Sequence, residues 1–156
     1  MSRSSALDTL IELTREAVDN AGRQLAGARR SQQQAQGQLD TLQHYRQEYA
    51  RGLQQAMQEG MEPASLLNYQ AFLGTLDNAI DRARLSLNEQ QRQVSQRQQQ
   101  WLEQQRKLNS YHTLVDRRAQ AEQLRDSRSQ QRITDELSAQ LRLRGSAFTS
   151  TSGSGR

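Results

Sequence analysis

Apolar side chains recur along this chain in steps of three and four. Counting by sevens from Leu7 reaches Thr14, Ala21, Ala28, Ala35, Leu42, Tyr49 and Ala56, every one small or apolar. A second series, four residues on, runs Ile11, Val18, Leu25, Gln32, Leu39, Arg46 and Leu53. With the second series at a and the first at d, this is the 3-4 spacing of a coiled-coil seam, sustained over about seven heptads. The pattern returns later in the chain. Its a positions are Leu66, Leu73, Ile80, Leu87, Val94, Trp101, Leu108 and Val115, and its d positions are Tyr69, Leu76, Ala83, Gln90, Arg97, Gln104, Tyr111 and Arg118.

Between the two runs lies "QEGMEPASLLNYQAF", which holds the one proline of the 156 residues. Inside a helix proline removes an amide donor and clashes with the preceding turn, whereas in a first turn it is tolerated. Gly60 suits the residue just past a helix end, where a left-handed backbone is cheap without a Cβ, and Pro63 or Ser65 can open the next helix. Joined so closely, the second helix must double back on the first.

The pattern therefore predicts an all-α fold, a long antiparallel two-helix coiled-coil hairpin. Helix 1 covers about 4–59, the turn 60–65 and helix 2 about 66–143, with 4–144 as the organised part. Each arm would be roughly 75 to 85 Å long at about 1.5 Å per residue. Facing positions should have numbers adding to about 122 in an antiparallel seam, which puts Tyr49 opposite Leu73 and Leu42 opposite Ile80. Polar d positions at Gln90, Arg97 and Gln104 predict the loosest pairing around residues 90 to 104. Beyond Val115 the phase is lost, and Ile133, Leu137 and Leu141 form a short stripe in another register. The segment 145–156, within "RGSAFTSTSGSGR", is rich in Gly, Ser and Thr and reads as a disordered tail.

Composition supports the narrow seam. With 33% hydrophobic, 4% aromatic and 24% charged residues, there is too little apolar material for a wide globular core. The abundant glutamine and arginine are good helix formers that stay solvated outside a seam. Net charge is +4 and the isoelectric point about 10.1, compatible with an acidic partner, nucleic acid or a membrane surface. The arginines are interleaved with acids, as in "DRARLSLNEQQRQ", which marks a solvated helix face. No cysteine is present, no apolar run approaches the length that spans a bilayer, and the N-terminus lacks a signal-peptide core, so the expectation is a soluble cytoplasmic protein.

The chemistry of an active site is missing from the sequence. A two-helix hairpin has almost no interior for a pocket, and there is no phosphate-binding glycine loop. His44 and Glu48 have i, i+4 spacing, but two ligands make a poor metal site, and His112 lies on the other arm. Gly22, Gly27, Gly37 and Gly52, scattered within helix, read as points of close backbone approach. The expectation is a non-enzyme with no catalytic residues, no cofactor and no metal.

What remains is an apolar excess near the turn. Tyr45, Tyr49, Tyr69 and Phe72 cluster around it, and Tyr45, Phe72 and Ala79 fall at g, just outside the seam. Seam and flank together make a stripe wider than two helices need, which points to a binding surface.

The segments "ALDTLIELTREAVDNAGRQL", "QLDTLQHYRQEY" and "NYQAFLGTLDNAI" resemble the FliJ family, soluble components of the bacterial flagellar type III export apparatus. The resemblance covers about residues 5 to 125, most specifically in "YRQEY" and "NYQAFLGTLDNAI". It implies a long antiparallel coiled coil that docks by its paired chain ends into the export ATPase hexamer, contacts the membrane export gate protein and escorts export chaperones. It implies too a cytoplasmic protein peripherally associated with the inner-membrane export apparatus, without membrane insertion or nucleic acid. The export-gate surface would map to Gln38, Leu42, Tyr45, Tyr49, Phe72, Leu76 and Ala79. The ATPase-binding end would include Leu7, Ile11 and Arg15, with Arg3, and on the second helix Arg125, Arg128 and Arg132. The rival readings are a basic coiled-coil scaffold or nucleic-acid-associated protein, against which the scarcity of lysine and the interrupting acids count, and a parallel coiled-coil dimer.

Overall fold

In a computed structural model the backbone is described for residues 2–151 and the side chains for residues 5–147. The described residues form two helices, α1 (Ser2–Glu59) and α2 (Pro63–Thr151). They form an all-α helical hairpin, and at about 1.5 Å per residue the 58 residues of α1 extend roughly 87 Å. No helix among the described residues is long and apolar enough to cross a membrane.

The turn is tighter than the spacing suggests, because α2 begins at Pro63 rather than near residue 66. Gly60 ends α1 with φ of 95°, a left-handed conformation that a side chain would oppose. The Glu62 carbonyl then accepts a bond from the Leu66 amide at 3.1 Å, the first link of α2. Proline in that first turn removes a donor that had no intrahelical partner anyway.

Two compact parts are distinguished, Met1–Leu108 and Asn109–Arg156. The first is the paired hairpin. Every buried side chain of α1, namely Leu7, Ile11, Thr14, Ala21, Leu25, Ala28, Ala35 and Leu39, belongs to the a or d series. Those of α2, Leu76, Ile80 and Leu87, do so too. Ala35, Leu39, Ile80 and Leu87 form one buried cluster, against which Leu42 and Ala83 pack, so that facing numbers add to about 122 as in an antiparallel seam of this register.

Burial is unequal on the two helices. Ala21, Ala28 and Ala35 are buried, while across the seam the larger Val94 and Trp101, and Arg97 facing Leu25, remain partly exposed. The expected loosening between 90 and 104 takes a different form. Arg97 lays its stem on the seam and donates from Nη1 to Gln24 Oε1 at 2.9 Å, an arrangement in which a polar d position bridges the helices.

The scattered glycines do not behave alike. A Cβ on Gly22 would lie 3.6 Å from Trp101 Nε1, so this glycine does meet the opposite helix, through a side chain rather than backbone. At Gly37 and Gly52 nothing lies within 4 Å, and at Gly27 only the guanidinium of Arg30 does. Close approach is therefore confined to Gly22 among the four.

In the second part α2 is one helix whose side chains are exposed from His112 to Ala147, including Ile133, Leu137 and Leu141. The helix continues to Thr151, into the segment whose composition suggests disorder. Ser146 stays within it by donating its hydroxyl to the Leu143 carbonyl at 2.9 Å. Residues 152–156 of that segment lie outside the described residues.

Candidate interaction surface

In an antiparallel pair the g positions of both helices line one edge and the e positions the other. The two edges of this hairpin differ in chemistry. The g edge carries Gln38 and Tyr45 from α1 and Phe72, Ala79 and Ser86 from α2. Along it runs an open groove of about 820 Å³ lined by Gln34, Gly37, Gln38, Thr41, Leu42, Ala79, Arg82, Ala83 and Ser86. The groove exists because its walls are short: a glycine, two alanines, a serine and a threonine leave the space that longer side chains would fill.

Nearer the turn the same edge becomes aromatic. Tyr49 packs on Phe72 with ring centroids 4.2 Å apart and planes tilted by 33°, and on Tyr69 at 5.8 Å and 55°. Offset, tilted rings at these separations attract beyond their buried area. Despite this contact Tyr49 remains 40% exposed, Phe72 41% and Tyr45 52%. Tyr49 and Phe72, packed on each other yet open to solvent, have less ordering entropy to lose on contact than free rings, which suits them as anchors.

The residues expected to meet an export gate thus do not all lie on the surface. Gln38, Leu42 and Ala79 line the groove, and Tyr45, Tyr49 and Phe72 form or adjoin the aromatic cluster. Leu76 is only 7% exposed and lies in the seam beneath them, supporting the surface rather than presenting one. Six other residues line the groove beyond those expected from the sequence, Gln34, Gly37, Thr41, Arg82, Ala83 and Ser86. Gly37 and Thr41 occupy f and c positions, outside the stripe defined by seam and flank, and Arg82 adds a cation at the groove's edge.

The e edge is polar. Arg46, at an a position, donates from Nε to Asp77 Oδ1 across the helices, within a groove that also contains Gln43, Gln47, Asp81 and Arg84. The hydrogen bond from Arg46 holds the Asp77 carboxyl below its ordinary range, and Asp77 in turn raises Arg46. His44 Nε2 lies 3.0 Å from Glu48 Oε1 within α1, and no group of three or more metal-ligating side chains occurs among the described residues.

Of the residues expected at an ATPase contact, Leu7 and Ile11 are each 9% exposed and belong to the seam, while Arg15 is exposed. Arg125, Arg128 and Arg132 are exposed on the second part of the chain. The side chain of Arg3 lies outside the described residues.

The family model described as Flagellar FliJ protein matches residues 3–146. The Flagellar FliJ protein of Salmonella typhi is 35% identical over 144 residues, 92% of this chain and 98% of the relative. Its counterpart in Escherichia coli is 34% identical over the same shares of both chains. Among solved structures, a putative YscO homolog from Chlamydia trachomatis, 13% identical, aligns with a TM-score of 0.48 over 90% of this chain and 96% of the other.

Proposed function

The chain belongs to the FliJ family of flagellar proteins, and from this we infer that it is a component of the flagellar protein-export apparatus. We propose that it works there without catalysis, as a rigid linker. Its g-edge surface binds the membrane export gate protein, other segments bind the export ATPase, and it escorts export chaperones. The observation that carries the reading is the exposed ring pair of Tyr49 and Phe72, with exposed Tyr45 on the same edge, beside a groove walled by small residues. A binding surface that is apolar, preformed and confined to one edge lets a rod respond to one partner while engaging another, through contacts that differ between states and not through chemistry of its own. The ATPase contact is assigned to Arg15 near the start of α1 and to Arg125, Arg128 and Arg132 on α2, with Leu7 and Ile11 ordering the beginning of α1.

The test pairs two sets of variants. Replacing Tyr45 and Phe72 by alanine removes exposed rings and spares the seam, so melting should change little while each truncation costs on the order of 2 kcal/mol of gate binding. Leu39→Ala and Leu87→Ala leave voids in the seam and should each cost roughly 2 to 4 kcal/mol of folding stability, less where so thin a seam can collapse. If the aromatic variant melts as early as the leucine variants and still binds the gate normally per folded molecule, the rings only cover the seam and the assignment is wrong.

A further inference from the structure

Arg46 stands where the seam asks for an apolar residue. Its neighbours in the a series are Leu39 and Leu53, and the residue facing it is Leu76. A guanidinium cannot remain in that layer without a partner, so its stem lies across the seam and its head emerges on the e edge. There Asp77 of α2 accepts the Nε hydrogen, which makes the interaction a bridge between the helices. Two other ion pairs, His44–Glu48 and Glu89–Arg92, each stay within one helix.

The position of this bridge is informative. It joins the helices directly behind the g-edge surface: Arg46 adjoins Tyr45 and lies three residues from Tyr49, while Asp77 adjoins Leu76 and lies two residues from Ala79. At this layer an arginine replaces an apolar seam residue, which weakens hydrophobic attraction between the helices, and the bridge supplies a link there. With side chains 43% and 50% exposed, such a pair adds little to global stability, so its effect is positional.

We propose that Arg46–Asp77 is a clamp that fixes the spacing of α1 and α2 beneath the aromatic cluster, with both members acting as positioning residues for partner binding on the opposite edge. The proposal rests on the reading of the g edge as an interaction surface. Ring contacts such as that of Tyr49 on Phe72 cross from one helix to the other, so a small change in helix spacing separates them.

The chain has no cysteine, so a His44→Cys, Asn78→Cys variant accepts spin labels at those two exposed positions alone. In the otherwise unaltered protein the distance distribution should be narrow. Asp77→Ala should broaden it and lower affinity for the purified soluble domain of the export gate protein about five-fold, the scale of an exposed pair. Exchanging the charges, Arg46→Asp with Asp77→Arg, should restore both the narrow distribution and the affinity, which a general loss of stability would not allow. An unchanged distribution in Asp77→Ala overturns the clamp. So does a fall in affinity with the distribution unchanged, because Asp77 would then touch the partner itself. Normal gate binding by the Tyr45→Ala, Phe72→Ala variant would instead sink the surface assignment, and the label distances would still judge the clamp.

Discussion

At the scale of single residues, the groove and the ion pair separate stability from recognition. Gly37 sits mid-helix in α1 with nothing within 4 Å of where a Cβ would be. Gly37→Ala should therefore raise the melting temperature, since alanine is favoured over glycine in a helix by up to about 1 kcal/mol. The same methyl narrows the groove, so gate affinity should fall. A stabilised variant with unaltered affinity would mean that the partner does not enter the groove. For Asp77 the sign of the pH effect follows from its lowered pKa, set by the hydrogen bond from Arg46. A carboxyl whose folded pKa is depressed contributes stability above its unfolded value of about 3.9 and loses it as pH falls through the folded value. A double-mutant cycle on Arg46 and Asp77, read by thermal melting, should give a constant coupling from about pH 5 to 9 that fades only below about pH 4. Coupling that titrates near neutrality would implicate another group.

At the scale of elements, the turn is where local chemistry dictates geometry. Gly60 takes a positive φ with open space around it, so its requirement is conformational and not steric. Gly60→Ala should destabilise the hairpin by about 1 kcal/mol through backbone strain alone, leaving the helix content of the folded protein unchanged. Chemical denaturation followed by circular dichroism measures this, and a neutral result would mean that α1 can end another way. The seam between the helices works differently. At Ala21, Ala28 and Ala35 small residues of α1 face the larger Trp101, Val94 and Leu87 of α2, while at Leu39 and Ala83 the order is reversed.

At the scale of the molecule, the hairpin carries its two proposed contacts at separate places. Removing residues 1 to 14 deletes the first seam positions, Leu7, Ile11 and Thr14, all buried. The remaining helices should keep their helicity and the g-edge surface its gate affinity, while binding to the export ATPase is lost. Sedimentation or pull-down with the purified ATPase checks this, and retained binding would move the contact away from the start of α1. An end-specific loss of one partner is expected only if the seam is held by many weak layers, and the buried set is of that kind, with no large side chain enclosed completely among the described residues.

The sequence by itself determined the helices, their pairing and which positions could be buried, although the same spacing also marked Val115 as a seam position and it is exposed. A coiled-coil seam is narrow, so burial follows directly from a 3-4 repeat, and Leu25, Leu39, Ile80 and Leu87 could be read from spacing alone. Gly60 and Pro63 likewise announced the turn through backbone chemistry that no packing was needed to reveal. The aromatic side chains of the candidate surface were legible because they broke the composition around them. Tertiary structure alone decided that Leu76 supports that surface from below, that Gly37 and Thr41 open the groove, and that Arg46 finds Asp77 on the opposite edge. These depend on where side chains of two helices lie in depth and direction. A one-dimensional repeat assigns a residue to the seam or to solvent, but the shape of an edge arises only when the side chains of both helices share the same space.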